Sequence, residues 1–224
     1  MGNRRFRNRT EAGQRLADAV ADLDLDDPVV LGLPRGGVPV ARQVAERLDA
    51  PLDVVVVRKI GAPSNPEYAL GAIGEGDVEV LDRESMRRLG VDRDALRGTI
   101  DDERAELRRR LERYRGQRRG VDVSGRTVVV VDDGIATGRT AKAAAEVLRA
   151  RGAERVVLAV PVGPPQNVDP LRERFDDVVI LETPQGFMAV GAWYDDFGQT
   201  SDEEVVEHLN SYGRRLGDGV GGDA

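Results

Sequence analysis

The sequence predicts an α/β fold: a Rossmann-like, open, mainly parallel sheet flanked by helices. Three observations carry this. Apolar runs rich in β-branched residues at 29–33, 128–131 and 156–161 lack polar alternation, which marks strands covered on both faces. Helical patterns stand between the strands, the order expected of a parallel sheet. Two strands run straight into small-residue loops that open helices, Leu33-Pro34-Arg35-Gly36-Gly37 and the stretch 132–140.

The elements follow in order. Residues 10–23 form an amphipathic helix with Ala12, Leu16, Ala19, Val20 and Leu23 on one face. A strand at 29–33, a helix at 38–48 and a second strand at 52–57 come next. Strands at 69–73 and 78–81 pair as a hairpin through Gly74, Glu75, Gly76 and Asp77. Helices at 83–89 and 93–114 follow, the longer one charged and carrying Leu96, Ile100, Leu107 and Leu111 as its stripe. This is a packing or subunit-contact pattern, within a helical insertion over 83–119. The strand at 128–131 leads to a helix at 141–151; strands at 156–161 and 178–181 flank a short helix at 169–174. A last helix spans 201–216, opened by a capping box of Ser201 and Glu204. Residues 1–217 read as one domain, with a separate segment over 182–200 after the last sheet strand, and 218–224 as a disordered tail.

Composition narrows the function. The 224 residues carry 33 basic and 40 acidic side chains, a net charge of −7, which disfavours nonspecific nucleic-acid binding. Only Lys59 and Lys142 are lysines; the arginine and aspartate bias fits a GC-rich genome or a salt-adapted host equally. There is no cysteine, hence no disulfide, thiol nucleophile or thiolate metal site. The basic stretch 1–9 lacks a following apolar segment, and no run approaches the roughly 20 apolar residues of a membrane span. The expectation is a cytoplasmic protein.

The chemistry concentrates at 128–140, V-V-V-V-D-D-G-I-A-T-G-R-T. A loop of Gly, Ala and Thr at a helix start offers amides and hydroxyls to an anion. Asp132 and Asp133 would repel that anion unless they hold other parts of the same ligand, such as sugar hydroxyls or a divalent cation. A P-loop is excluded: G-x-x-x-x-G-K-[ST] is absent. In the other strand-end loop, Arg35 suits a phosphate and Gly36–Gly37 permit close backbone approach. In an open α/β sheet both loops face one crevice.

This pattern of four apolar residues, two acids and A-T-G-x-T resembles the 5-phosphoribosyl-1-pyrophosphate (PRPP) loop of type I phosphoribosyltransferases. The resemblance covers most of 29–197 and is nearest to bacterial and archaeal proteins described only as predicted phosphoribosyltransferases. It implies that Ala136, Thr137, Gly138, Arg139 and Thr140 cradle the 5-phosphate and that Asp132 and Asp133 hold ribose hydroxyls and help place Mg²⁺. The loop Arg35, Gly36, Gly37 resembles the family's pyrophosphate loop, in many members with a cis peptide before the residue matching Arg35. Arg58 and Lys59 resemble an Arg-Lys pair of adenine-specific members and would reach pyrophosphate. The segment 60–67 resembles the mobile catalytic loop, its Gly and two prolines arguing against regular structure; Glu67 is a candidate acid or base. The segment 182–200 resembles the hood of purine members, by which Phe187 matches the residue that stacks on the base and Asp195 one that approaches the metal. One extra residue before Gly191 leaves Trp193 or Tyr194 as an alternative stacker. His208 reads as a surface or packing residue.

The resemblance thus implies Mg²⁺-dependent transfer from PRPP to a nitrogen acceptor, a nucleobase, with release of pyrophosphate, by a homodimer. Ala136 stands where hypoxanthine-guanine members carry an acid, and 161–169 holds no lysine to read a 6-oxo group, which counts against 6-oxopurines. Two alternatives share the loop: a PRPP-sensing regulator without transfer, and a hydrolase or phosphotransferase of the same fold.

Overall fold

The computed structural model describes residues 5–218, with backbone alone for 214–218. Helix α1 (Arg9–Ala21) leads to β1 (Pro28–Gly32), α2 (Gly37–Leu48) and β2 (Leu52–Val54). An antiparallel unit follows: β3 (Arg58–Ala62), β4 (Asn65–Ile73) and β5 (Glu79–Leu81). Then come α3 (Arg83–Leu89), α4 (Arg97–Arg115), β6 (Thr127–Val131), α5 (Arg139–Ala150), β7 (Arg155–Val162), α6 (Val168–Arg172), β8 (Asp177–Glu182) and α7 (Asp202–Asp218). The main sheet has the order β2-β1-β6-β7-β8, every pair parallel.

The chain leaves β1 toward β2 on one side and returns to β6 on the other, so the order reverses between β1 and β6. That is where an open α/β sheet forms a ligand crevice. The unbroken apolar strands have the predicted physical cause. Val128 and Val130 pack beneath α5, while Val129 and Val131 pack against α1, α2 and Tyr212 of α7. The capping box is present: the Ser201 amide donates to Glu204 at 2.6 Å, and the Glu204 amide to Ser201 Oγ at 3.1 Å.

Several boundaries differ from the sequence reading. The second strand stops at Val54. The long helix starts at Arg97 because Asp92 accepts the Ala95 amide at 2.8 Å and holds 92–95 as a turn. The tail expected from 218 begins inside α7, and residues 219–224 lie outside the described residues. The largest correction concerns 60–67, read as irregular. It belongs to the β3–β4 hairpin, turning at Pro63–Ser64. Pro66 sits where the ladder slips between the Gly61–Ala69 and Ala62–Asn65 pairs, so its missing N–H breaks no regular bond.

The insertion is anchored by a buried ion pair that periodicity does not reveal. Arg115 ends α4 and donates to Asp53 at 2.8 Å, to the Val54 carbonyl at 2.9 Å and to Glu75 at 2.5 Å. Asp53 also accepts the Val54 and Val121 amides. This joins α4, the edge strand β2 and the β4–β5 turn in one satisfied network. Removing one partner leaves a buried charge, which costs about 3–5 kcal/mol. Arg115→Ala is therefore expected to lower unfolding free energy by about that amount in urea titrations; a loss below about 1 kcal/mol, the scale of a surface pair, would contradict it.

Candidate active site

The loops after β1 and β6 lie side by side. The Leu33 amide donates to the Val131 carbonyl at 2.8 Å, extending the pairing into the loops. The Pro34–Arg35 peptide is cis, as the resemblance implies. A side chain at Gly36 would collide with Asp133 Oδ2, and a Cβ at Gly37 would lie 2.6 Å from the Val131 carbonyl oxygen. At 37 the obstacle is backbone and glycine is required; at 36 it is the Asp133 carboxylate, so a side chain there would displace one of the acid pair.

Asp132 and Asp133 sit at this meeting point. The Asp133 amide donates to Asp132 Oδ1 at 2.9 Å. Burial, then the neighbouring Asp133 charge, pushes the Asp132 carboxyl well above the ordinary carboxylate range. Asp133 is raised by burial, with Arg9 opposing the shift. Arg9 Nε donates to Asp133 Oδ2 at 2.8 Å, its Nη1 to the Gly198 carbonyl at 2.7 Å, and its guanidinium lies 4.0 Å from the Phe197 ring centre. The Tyr194 hydroxyl donates to the Asp133 carbonyl, and burial raises the pKa of that phenol. Sequence reasoning does not find Arg9, and it offers Tyr194 only as a base stacker. Both arrive because the N-terminal segment pairs with the hood: the Phe6 amide bonds the Trp193 carbonyl, and the Asp195 amide the Phe6 carbonyl, each at 2.8 Å. No local motif announces such a contact.

The loop 134–138 then runs to α5. Gly138, at φ +68°, turns the chain into the helix. Ala136, Thr137, Arg139 and Thr140 are exposed beside the acid pair. Asn167, a further residue the sequence reading passed over, donates to the Ala136 carbonyl at 2.7 Å and pins the loop.

The phosphoribosyl transferase domain model matches residues 7–195. The chain belongs to the phosphoribosyl transferase domain family. Two proteins from different strains of Mycobacterium tuberculosis, both provisionally named phosphoribosyl transferases, are 52% identical to it over 205 residues, 92% of this chain. The chain spans about half the length of these curated relatives, 46%. The crystal structure of TT1426 from Thermus thermophilus is similar at TM-score 0.87 and 51% identity, covering 93% of this chain and 99% of that one. The main sheet is parallel with helices on both faces, the architecture the sequence predicts. No helix among the described residues is long and apolar enough to cross a membrane.

Other family-implied residues lie in different settings. Arg58 pairs with Glu103 of α4 at 2.6 Å, and Lys59 with Glu67 across the hairpin at 3.0 Å. Both cations therefore have intramolecular partners to exchange for any pyrophosphate. Trp193 is a correction: it is buried in the small core of Phe6, Ala12, Val162 and Tyr194, so it cannot stack on a base. Phe187 is half-buried against that core and keeps accessible surface, as stacking requires. Asp195 is exposed, and among the described residues no three acids, histidines or cysteines form a metal cage. His208 is partly buried on α7, 3.4 Å from Arg42, a packing position as read.

The acid pair carries a stability signature. A carboxyl whose pKa is raised on folding destabilises the fold once pH exceeds the unfolded value, and the penalty grows up to the folded value. Asp132→Asn should accordingly raise the thermal midpoint at pH 7 without ligand or divalent cation, with a smaller gain toward pH 4. A shift of about 2–4 °C corresponds to 1 kcal/mol for a domain of this size; a lowered midpoint at pH 7 would contradict the assignment of strain to this pair.

Proposed function

We propose that this domain transfers the phosphoribosyl group of PRPP to a nitrogen acceptor, a nucleobase, releasing pyrophosphate. The observation that supports it best is the carboxylate pair held between an amide-rich helix start and the Arg35–Gly37 loop. One ligand carrying a phosphate, a sugar diol and a pyrophosphate would satisfy all three. The 5-phosphate would lie on the 136–140 loop, against backbone amides and the hydroxyls of Thr137 and Thr140. Asp132 and Asp133 would accept hydrogen bonds from the ribose hydroxyls, which orients C1′.

The donor set suits Mg²⁺ in a particular way. This ion binds through one or two carboxylates and completes its shell with substrate oxygens and water. Two crowded carboxylates with a raised pKa, and Arg9 as their cationic partner, fit that pattern; among the described residues no three-acid cage including Asp195 forms. When bound, the ion would neutralise charge on the pyrophosphate. The chain's own contribution is to hold the leaving group: Arg35 and the Gly36–Gly37 amides face the negative charge that develops on it. Arg58 and Lys59 would join after leaving Glu103 and Glu67. The β3–β4 hairpin that carries them is the element to close over the centre and exclude water. Glu67 would be released by the same exchange, free to handle a proton.

For the acceptor, Phe187 offers a stacking surface, and Ala136 presents no acid to the base. Stacking does not discriminate between bases, but Ala136 and the absence of lysine from 161–169 favour an acceptor other than a 6-oxopurine. The test is incubation of the full chain with PRPP, Mg²⁺ and a panel of bases, following pyrophosphate. Base-dependent release supports transfer; release without base shows hydrolysis, and binding without release shows a sensor. Asp132→Asn/Asp133→Asn should reduce turnover at least a hundredfold with an unchanged circular dichroism spectrum. Near-native turnover in that variant would sink the proposal.

A further inference from the structure

The C-terminal part of helix α4 and the four residues after it concentrate charge opposite in sign to that of the chain. Residues 104–119 hold eight arginines against two glutamates, a net +6 in a chain of −7. Between this helix, the loop after β1 and the start of α7 lies a cavity of about 270 Å³. Its walls include Arg35, Arg109, Arg110, Arg113, Tyr114 and Asp202.

The arginines are unequally compensated. Glu106 serves two of them, accepting from Arg109 at 2.8 and 2.9 Å and from Arg110 at 2.7 Å. Arg113 reaches Asp202 at 3.1 Å and Glu203 at 2.8 Å. Asp202 is also occupied by the Tyr114 hydroxyl, at 2.8 Å. The Arg35 guanidinium has no hydrogen bond or ion pair among the described residues. Four guanidiniums therefore converge where three carboxylates answer. Guanidinium forks match the paired oxygens of a phosphate group in shape and charge, and they are always protonated.

We infer that this cavity is an anion site for a phosphate or diphosphate group, bound by Arg109 and Arg113 of α4 together with Arg35. It is a different place from the amide-lined 136–140 loop, and it meets the crevice at Pro34 and Arg35 of the loop after β1. The inference does not depend on transfer, because binding is measured without PRPP. The anion has two sources, pyrophosphate released in the crevice or free phosphate from solution.

The experiment is calorimetric titration of the full chain with inorganic phosphate and, separately, with pyrophosphate. It is run in a Thr137→Ala/Thr140→Ala background, which weakens binding at the 136–140 loop, and again after adding Arg109→Gln/Arg113→Gln. The expected result is saturable binding in the first background and at least a tenfold loss in the second. Because the crevice contacts to pyrophosphate at Arg35–Gly37 remain in both backgrounds, only the part of the binding lost with Arg109→Gln/Arg113→Gln reports this cavity: loss for pyrophosphate alone identifies the released product as the ligand, and equal loss for phosphate identifies the free anion. Equal isotherms with and without the arginine substitutions, or no binding in the first background, would overturn the inference. Should the arginine variant fail to fold, the unsubstituted chain still decides: phosphate must shift the Nε–H resonances of Arg109 and Arg113, and unmoved signals refute the site. Loss of PRPP binding in the threonine variant tests the proposed function instead, so the two readings fail separately.

Discussion

Two neighbouring parallel strands, β1 and β6, end at the same height, and their loops make direct backbone contact. Everything at the candidate site depends on that contact. It requires glycine at 37, where a side chain would meet the β6 backbone, and at 36 a side chain would displace the Asp133 carboxylate. It places the acid pair against the loop that carries Arg35, and it sets the start of α5 beside them. The sheet supplies rigidity: β6 is buried along its whole length, with side chains from both faces locked in two cores. Pre-organisation of this kind is what a site needs when its catalytic power comes from positioning.

The contact has an energetic consequence. Adjacent carboxylates brought into a partly desolvated crevice repel one another and lose hydration. The fold offsets this for Asp133 through Arg9, itself clamped by Gly198 and the Phe197 ring, and leaves Asp132 less compensated. The uncompensated charge is the part of the site that a cationic or hydroxyl-rich ligand would relieve. Local instability and ligand affinity then have one physical origin. Pairing of Phe6 with residues 193–195 is what delivers Arg9 to Asp133.

Much of this was legible in the sequence. Apolar runs identified the strands of the main sheet, and glycine-rich loops at two strand ends located the crevice. Both signals are local, so they survive without knowledge of tertiary contacts. What escaped detection was non-local. Arg9 reaches Asp133 across 124 residues, and Arg115 reaches Asp53 across 62. Neither pair has a signature in spacing or periodicity. The hairpin at 60–67 was misread because two prolines mark irregular structure on average, whereas one occupies a tight turn and the other a ladder slip. Trp193 is a candidate stacker only through the resemblance and its imperfect spacing, and it lies in a small core whose other members come from α1 and β7 as well as from Phe6 and Tyr194.

The central claim is that the Asp132–Asp133 pair and its two flanking loops form a single binding unit for a phosphoribosyl ligand with a divalent cation. The most direct measurement is calorimetric binding of PRPP to the unsubstituted chain, with Mg²⁺ and with the cation chelated, beside ribose 5-phosphate as the truncated ligand. The account predicts saturable PRPP binding that weakens at least tenfold on chelation, and weaker binding of ribose 5-phosphate because it leaves the Arg35 loop unengaged. PRPP binding that is absent, or that matches ribose 5-phosphate and is indifferent to Mg²⁺, would contradict it.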